Sequence, residues 1–392
     1  MAERIFNFLP IGGGGGLQNA LSFIENLESV AGIEFIARQG SLVDQALTRR
    51  NAAIRRVGHG KLGRVWFELG RKGMDLNGRT VFSIFGPPFL RESEKTLNIN
   101  GFALSNLFYP EIDFWKYCSR LEKTRRYFID AYRRYYYRKA DFWIFETPVM
   151  QERAVNMWGF PEERTAVVKM TPSSLVGPEL ADPQKKEEFK ALLPQNKFLF
   201  LFLNLPHPNK RIHLLPEIAV EIKEQNITDC AFVLTMNKEH SYTKEVYRKI
   251  HDLGVEEYFC NIGGVPQPEI SSLLSCVNVL CTFSVLESFS NNFVEAWKMR
   301  LPLVVTDADW SRGCCGDGAV YVSPEKSADA ADQLICLMHD SAERERVVMA
   351  GEAVLRSMPS AKEKNRLYWA CIAKAEALGK MDNAQRGMVF GK

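Results

Sequence analysis

The chain has 392 residues, 46% of them hydrophobic and 25% charged, with a formal net charge of +3. That length is too great for one ordinary core and suits two domains, and the composition is that of a soluble globular protein, not a fibrous or disordered one. No run approaches about 18 apolar residues, which argues against a membrane-spanning helix, and no basic stretch followed by an apolar segment opens the chain, so no secretory signal is expected.

Nine cysteines without a Cys-x2-Cys pair point to reduced thiols in a cytoplasmic protein, not to a disulfide framework or a zinc site. Cys314 and Cys315 are adjacent in what reads as a Gly-rich loop and are expected to be free thiols. Charge is unevenly placed. Residues 1–150 hold 22 Lys/Arg against 15 Asp/Glu, so the surplus lies in the first half.

Residues 4–9 read as a first strand, followed by Pro10-Ile11 and five glycines, Gly12 to Gly16. Residues 17–27 have helical spacing through Leu17, Leu21, Ile24 and Leu27. Glycines between a first strand and a first helix let backbone N–H groups approach a ligand closely, and Gly14 and Gly15 are the candidate residues. The run is neither a clear G-x-G-x-x-G nor a P-loop. Residues 33–37 read as a second strand, 41–57 and 61–72 as basic amphipathic helices, and 81–85 as a strand ending at Gly86-Pro87-Pro88. His59, in a Gly-His-Gly loop, reads as structural or solvent-exposed.

Residues 116–139 carry nine basic side chains against Glu122 and Asp130, which is the whole surplus of the first half. Tyr117, Leu121, Tyr127, Phe128, Tyr132, Tyr135, Tyr136 and Tyr137 are interleaved with them. Such a helix suits an anionic membrane surface, with Arg125, Arg126, Arg133 and Arg134 as contacts, each basic residue adding about 1 kcal/mol. A solvated face over an aromatic core is the plain alternative, and no nucleic-acid recognition motif accompanies the patch. Residues 141–146 and 165–170 read as strands, 150–157 as a helix, and the polar tract 171–196 as an interdomain linker.

From residue 198 onward, strand, loop and helix alternate. Strands are expected at 198–203, 230–235, 258–262, 277–283, 301–306 and 320–322, with helices at 212–225, 243–253, 268–276, 293–299 and 326–339. This βαβ rhythm implies a parallel sheet covered on both faces, with ligands bound at the carboxyl ends of the strands. A last helix spans 361–378, and the tail from Met381 reads as disordered.

One stretch concentrates the chemistry: Ser284-Val285-Leu286-Glu287-Ser288-Phe289-Ser290-Asn291-Asn292-Phe293-Val294-Glu295-Ala296. An apolar strand precedes it and a helix with Ser290 at the N-cap follows. The amides at residues 290–292 point out of a helix N-terminus, where an anion such as a diphosphate is stabilised. Glu287 precedes the helix and Glu295 lies one turn inside it. A carboxylate accepts two hydroxyls, so a pair flanking an anion site suits ribose, diphosphate and sugar in a row, the shape of a nucleotide sugar.

That stretch resembles the donor-site motif of the retaining glycosyltransferases of family 4, which have the GT-B fold. The resemblance extends through Ile262-Gly263-Gly264-Val265, Glu269, Asn278-Val279-Leu280, Leu301-Pro302-Leu303-Val304 and Gly316-Asp317-Gly318-Ala319, in the family's order and spacing. It implies an α/β chain with two Rossmann-like parallel domains facing across a cleft. Residues 1–170 would form the acceptor domain, 171–196 the linker and 197–360 the donor domain, with the helix at 361–380 packing back on the first.

It further implies that Glu287 and Lys210 are catalytic, Glu287 meeting hydroxyls of the donor sugar and Lys210 neutralising the diphosphate. Glu295 would hold the ribose. Ser288, Phe289, Ser290 and Asn291 would line the donor, Gly264 and Val265 would lie near the base, and Gly14 and Gly15 across from the phosphates. No metal or other cofactor is implied, so Asp307-Ala308-Asp309 reads as a coincidence. Expected partners are a UDP- or GDP-linked sugar, a saccharide or lipid-linked acceptor and an anionic membrane surface on the inner face of the plasma membrane, with no nucleic acid.

Two departures stand out. The family's arginine five residues before the lysine falls on Leu205, so Arg211 or His207 would substitute or one positive charge is missing. The family's His-Gly pair is Phe85-Gly86. The expected activity is sugar transfer with retention in surface polysaccharide synthesis. A hydrolysing nucleotide-sugar epimerase of the same fold, or a non-catalytic nucleotide-sugar-binding subunit, is the alternative.

Overall fold

Strands of three to six residues, most of them apolar, form two sheets in which every described strand pairing is parallel. The computed structural model describes residues 3–58, 67, 76–86 and 95–382, and the chain divides into two compact units. The first comprises Met1–Glu111, Ser119–Thr171 and Pro359–Lys392; the second comprises Ile112–Cys118 and Pro172–Met358.

In the first unit the strands are β1 (Arg4–Asn7), β2 (Ile33–Arg38), β3 (Ala53–Val57), β4 (Thr80–Ser83), β5 (Leu97–Phe102), β6 (Phe142–Phe145) and β7 (Thr165–Val167). They lie in the order β3-β2-β1-β4-β5-β6-β7. Helices α1 (Gly14–Glu25), α2 (Leu42–Arg49), α3 (Arg120–Tyr137) and α4 (Pro148–Trp158) connect them. Phe6, Phe23, Phe35 and Phe82 pack their rings around β1, with Phe6 and Phe82 edge to face at 5.3 Å. A second aromatic layer surrounds Trp143, which stacks on Phe160 at 3.7 Å.

Several expectations for this half are corrected. The segment 41–57 is not one helix: α2 ends at Arg49, and Ala53–Val57 is an edge strand. There Arg55 pairs with Glu34 at 2.7 Å and Arg56 with Asp44 at 2.9 Å, so charges that suited a solvated helix face tie down a strand. Strand β5 had no counterpart in the expected order, because Asn98, Asn100 and Gly101 break its apolar run. All six of its residues are nevertheless buried. Three of the five glycines, Gly14 to Gly16, lie inside α1, with Gly13 at the N-cap. His59, the expected helix at 61–72 and Pro87-Pro88 lie outside the described residues.

In the second unit the strands are β8 (Phe198–Phe202), β9 (Cys230–Leu234), β10 (Phe259–Asn261), β11 (Val279–Thr282), β12 (Leu303–Thr306) and β13 (Val320–Val322), ordered β10-β9-β8-β11-β12-β13. The helices are α5 (Pro183–Leu192), α6 (Leu215–Glu224), α7 (Ser241–Asp252), α8 (Ile270–Leu274), α9 (Asn291–Lys298), α10 (Asp309–Cys315), α11 (Ser327–His339) and α12 (Ser341–Arg356). The central strands β8, β9, β11 and β12 are fully buried or nearly so, as expected when helices cover both faces, whereas the outer strands β10 and β13 are half-buried.

The tract expected as a linker is built into this unit. Gly177 N–H donates to Ser271 Oγ at 3.2 Å and Asp182 N–H to Ser272 Oγ at 2.9 Å, and Asp182 caps α5. Cys314 and Cys315 end a helix and are buried, with no disulfide between them, so the expected Gly-rich loop is absent there. The short stretch Ile112–Cys118 also belongs here, with the Tyr117 ring edge-on to His213 at 4.4 Å.

Helix α13 (Ala361–Leu378) belongs to the first unit. Arg4 pairs with Glu376 at 2.9 Å, Asn365 Nδ2 donates to Phe23 O at 2.9 Å, and Arg164 Nη1 donates to Gly379 O at 2.7 Å. Burial pushes the pKa of Lys364 down to about 8, against the opposing charge of Glu146. Met381 is ordered, in contrast to the expected disorder: it is buried, and its N–H donates to Asp141 Oδ1 at 3.0 Å.

Helix α12 backs α9 through a position that requires glycine. A Cβ at Gly351 would lie 2.2 Å from the Trp297 ring, whose Nε1–H donates to Gly318 O at 2.8 Å. Gly351→Ala is expected to cost about 1–3 kcal/mol as overpacking, read as a lower urea midpoint at unchanged slope.

Candidate functional site

Because the strands are parallel, the loops after β8, β9, β10, β11 and β12 leave the same edge of the second sheet. The loop after β11 carries Glu287. Its Oε1 accepts from Ser284 Oγ at 2.5 Å and is ion-paired with Lys210 Nζ on the loop after β8. Ser284 Oγ is in turn 3.2 Å from Thr282 Oγ1. Glu287 and Lys210 are each largely sheltered, yet both keep some contact with solvent. Each neutralises the other.

The backbone around this pair is held from three sides. Val285 N–H donates to Asn209 O at 2.9 Å. Trp310 Nε1–H, from α10, donates to Val285 O at 3.1 Å. Cys314 Sγ lies 3.5 Å from Ser288 O. Phe293, from α9, stacks on Trp310 and packs edge-on against Phe289.

Ser290 occupies the N-cap position of α9, as expected, but its side chain accepts no bond from the helix. Asn292 Nδ2 reaches back to Leu203 O at 3.0 Å, joining the first turn of α9 to the end of β8. Glu295 lies in the same helix and is only 5% exposed. Among the described residues no side chain forms a hydrogen bond or ion pair with it, and burial pushes its carboxyl up to about 7. A buried carboxylate without a partner is costly unless a ligand supplies hydrogen bonds. Gly264 and Val265 follow β10; a Cβ at Gly263 or Gly264 would meet nothing within 4 Å, so this loop borders open space.

Arg211 departs from its expected place. It is 4% exposed, and its guanidinium is committed to the protein. It donates from Nε to Phe283 O, from Nη2 to Ser284 O at 3.1 Å and Thr306 Oγ1 at 2.6 Å, and it is ion-paired through Nη1 with Glu325. Burial lowers its pKa, and Glu325 partly offsets that. Arg211 therefore clamps the ends of β11 and β12 and has little left to offer a diphosphate. His207 caps the following turn, its Nδ1 accepting from Asn209 N–H at 3.1 Å. Leu205, where the family's arginine falls, is 81% exposed.

Three features were not legible in the sequence. His213 lies two residues beyond Arg211; burial and the charges of Lys249 and Arg211 hold its pKa near 4, so it is neutral at physiological pH. Asn209 ties the Lys210 loop to the Glu287 loop. Helix α10 supports the Glu287 loop from the side that carries Trp310. Asp307, of the Asp-x-Asp spelling, pairs with Arg312 at 2.7 Å. Among the described residues no cluster of three or more metal-ligating side chains occurs. Gly14, Gly15 and the basic helix α3 belong to the first unit.

The two parallel α/β units define the GT-B fold. The chain is similar to the Anabaena protein Alr3699/HepE, solved in complex with UDP and glucose, at 16% identity over 95% of this chain and 99% of that one, with a TM-score of 0.65. It is also similar to sucrose-phosphate synthase from Thermosynechococcus elongatus (13% identity, 96% and 99% covered, TM-score 0.67). A third likeness is to a glycosyltransferase from Rickettsia africae (13% identity, 95% and 98% covered, TM-score 0.65). Residues 183–354, which hold every residue of the candidate donor site, match the family model described as Glycosyl transferases group 1. No curated protein matches the chain.

Proposed function

We propose that this chain transfers a sugar, with retention, from a nucleoside diphosphate sugar to a saccharide or lipid-linked acceptor in the synthesis of a surface polysaccharide. The observation that carries the reading is the Lys210–Glu287 pair, followed in chain order by a helix that holds the buried, unpaired Glu295, in the segment that matches the group 1 glycosyltransferase model. The diphosphate draws Lys210 away and frees Glu287 for the hydroxyls of the donor sugar. The α9 amides take the phosphates and Glu295 takes the ribose. Charge on the departing diphosphate is then stabilised by preorganised donors, without a metal. A donor built on UDP is favoured by the neighbour solved with UDP and glucose.

A thermal-shift screen of UDP, GDP, ADP and TDP and their sugars tests this, run beside Glu295→Ala. A ligand at 100 times its Kd stabilises by about 2.7 kcal/mol. One nucleotide series is expected to raise the melting temperature of the wild type and not of the variant; no response in the wild type refutes the donor site. Affinity is also expected to depend on pH. The ionised carboxylate is the better acceptor for ribose hydroxyls, so affinity rises as pH increases through about 7 and levels off above it. Glu295→Gln flattens that profile. Stability carries the opposite sign: the carboxyl is raised above its unfolded value, so its contribution falls as pH climbs from about 4.5 to about 7.

A second reading is a subunit that binds the nucleotide sugar without turning it over. The exposed Leu205 and the committed Arg211 favour it. Binding without product formation distinguishes the two.

The enzyme is proposed to work on the surface of an anionic membrane, seated on α3. Leu121, Phe128, Tyr132 and Tyr135 are exposed on this helix and, at about 100° per residue, fall within roughly 60° of one another. Asp130 and Tyr137, the helix's buried residues, lie on the opposite side. Arg125 and Arg134 are exposed. Arg126 pairs with Glu122 at 3.3 Å and Arg133 with Asp130 at 3.1 Å, so of the four arginines these two contribute less to lipid. An apolar stripe flanked by arginine is the pattern of a helix lying in a membrane interface. Sedimentation with vesicles containing 30% phosphatidylglycerol is expected to fall more than fivefold in Leu121→Gln/Phe128→Gln. Equal sedimentation of variant and wild type removes the membrane claim.

A further inference from the structure

The Lys210 loop leaves one question open: what stands in for the arginine that is absent at Leu205. Arg211 is spent on Phe283 O, Ser284 O, Thr306 Oγ1 and Glu325. His207 is turned to Asn209 N–H. Asn204 remains, at the second position after the end of β8.

Its backbone is fully engaged. The N–H donates to Thr235 Oγ1 at 3.1 Å, and the carbonyl accepts from the same hydroxyl at 3.4 Å. Its side chain is not engaged. Asn204 is 6% exposed, and neither Oδ1 nor Nδ2 has a hydrogen-bond partner. A buried amide lacking all its bonds is destabilising, and such a group calls for an explanation.

The surroundings supply one. Asn204 follows Leu203, whose carbonyl is bound by Asn292 in the first turn of α9, the helix whose N-terminal amides are proposed to take the phosphates. It opens the loop whose far end is Lys210, paired with Glu287. Asn209, within the same loop, has an unpartnered Oδ1 while its Nδ2 lies 3.4 Å from Leu286 O.

We propose that Asn204 is a specificity-determining residue for the diphosphate of the donor, turning its Nδ2–H to a phosphate oxygen once the nucleotide enters. A neutral amide there replaces a guanidinium, so Lys210 is the main cation on the leaving group and Asn204 a hydrogen-bond donor beside it. The inference rests on the donor-site reading above and names one more of its contacts.

The test compares Asn204→Leu and Asn204→Asp with wild type by calorimetric titration of UDP, GDP and their monophosphates, beside thermal melts without ligand. Leucine is close in shape and removes the orphaned amide, so the unliganded melting temperature is expected to stay level or rise. Diphosphate affinity is expected to fall about tenfold or more, since hydrogen bonds to charged groups are the strong ones. Asn204→Asp, which sets a carboxylate against the phosphates, falls further. Equal diphosphate affinity in Asn204→Leu and wild type overturns the proposal while leaving the donor site standing. A lower unliganded melting temperature in Asn204→Leu with unchanged affinity assigns Asn204 a structural role and also overturns it. If the wild type binds none of the nucleoside diphosphates of the thermal-shift screen, the donor reading itself falls, and this inference with it.

Discussion

Glu287→Gln is expected to lower kcat/KM for sugar transfer by about a hundredfold or more, with an unchanged melting temperature. The substitution keeps the shape and leaves an oxygen to accept from Ser284 Oγ. It removes the charge that balances Lys210 and one of the two carboxylate oxygens available to sugar hydroxyls. Removing one preorganised polar group from an acyl-transfer site costs about 100- to 1000-fold in rate, and a group that holds the reacting sugar belongs in that range. The loss is expected mainly in kcat, because the diphosphate and ribose contacts that anchor the nucleotide are untouched. Measured kcat, KM and melting temperature decide it. Activity within threefold of wild type removes Glu287 from the chemistry, and a parallel loss of stability makes the residue a strut for the loop.

Arg211→Met carries the largest expected change in stability. Burying a charge is tolerable only when it is paired and hydrogen-bonded, and this guanidinium is. Truncating it leaves Phe283 O without its Arg211 bond, Thr306 Oγ1 without a donor and Glu325 without its cation. Glu325 is half exposed and is resolvated, so the cost falls on the buried acceptors left unsatisfied, about 1–3 kcal/mol for each, read from the urea midpoint. Because Thr306 Oγ1 also donates to Ser284 O at 2.9 Å, that carbonyl keeps one partner and the loop is expected to loosen without unravelling. The competing expectation, that Arg211 binds the diphosphate directly, gives a different outcome: a small change in stability and a large loss of nucleotide affinity. The two results cannot be confused.

Much of the second unit was legible because its signals are local. Six apolar runs separated by helical spacing dictate a parallel sheet, and the carboxyl ends of parallel strands share one edge by geometry alone. The first unit was harder. Strand β5 has Asn98 and Asn100 at buried positions, Asn100 Nδ2 donating to Gly86 O at 2.6 Å and Asn98 N–H to Asp141 Oδ2 at 2.9 Å. Asparagines in a strand, even where they are buried, look in a linear reading like a loop. Strand β3 was hidden for a related reason: Arg55 and Arg56 find their carboxylates on β2 and α2.

At the site, residue type was informative and residue role was not. Glu287, Glu295 and Lys210 stood out by spacing and by resemblance. Adjacent cations such as Lys210 and Arg211 differ only in what surrounds them: Lys210 is paired with Glu287 and retains access to water, whereas Arg211 is enclosed by two backbone carbonyls after β11 and the Thr306 hydroxyl at the end of β12. In α3 the sequence marked a basic, aromatic segment, but only the folded helix separates an outward stripe at Leu121, Phe128, Tyr132 and Tyr135 from the buried pair Asp130 and Tyr137.

The sequence by itself determined the parallel sheet of the second unit and the strand, turn and helix whose N-terminus suits an anion, because periodicity and turn chemistry act over a few residues. The pairing of two α/β units was implied by the resemblance. The tertiary structure decided which charged groups are spent on the scaffold, which buried polar groups are left unbonded, and which face of a helix meets solvent. Those depend on partners up to more than a hundred residues away, as Arg211 and Glu325 are, and on burial, which sets the free energy of a charge or an amide more than its identity does.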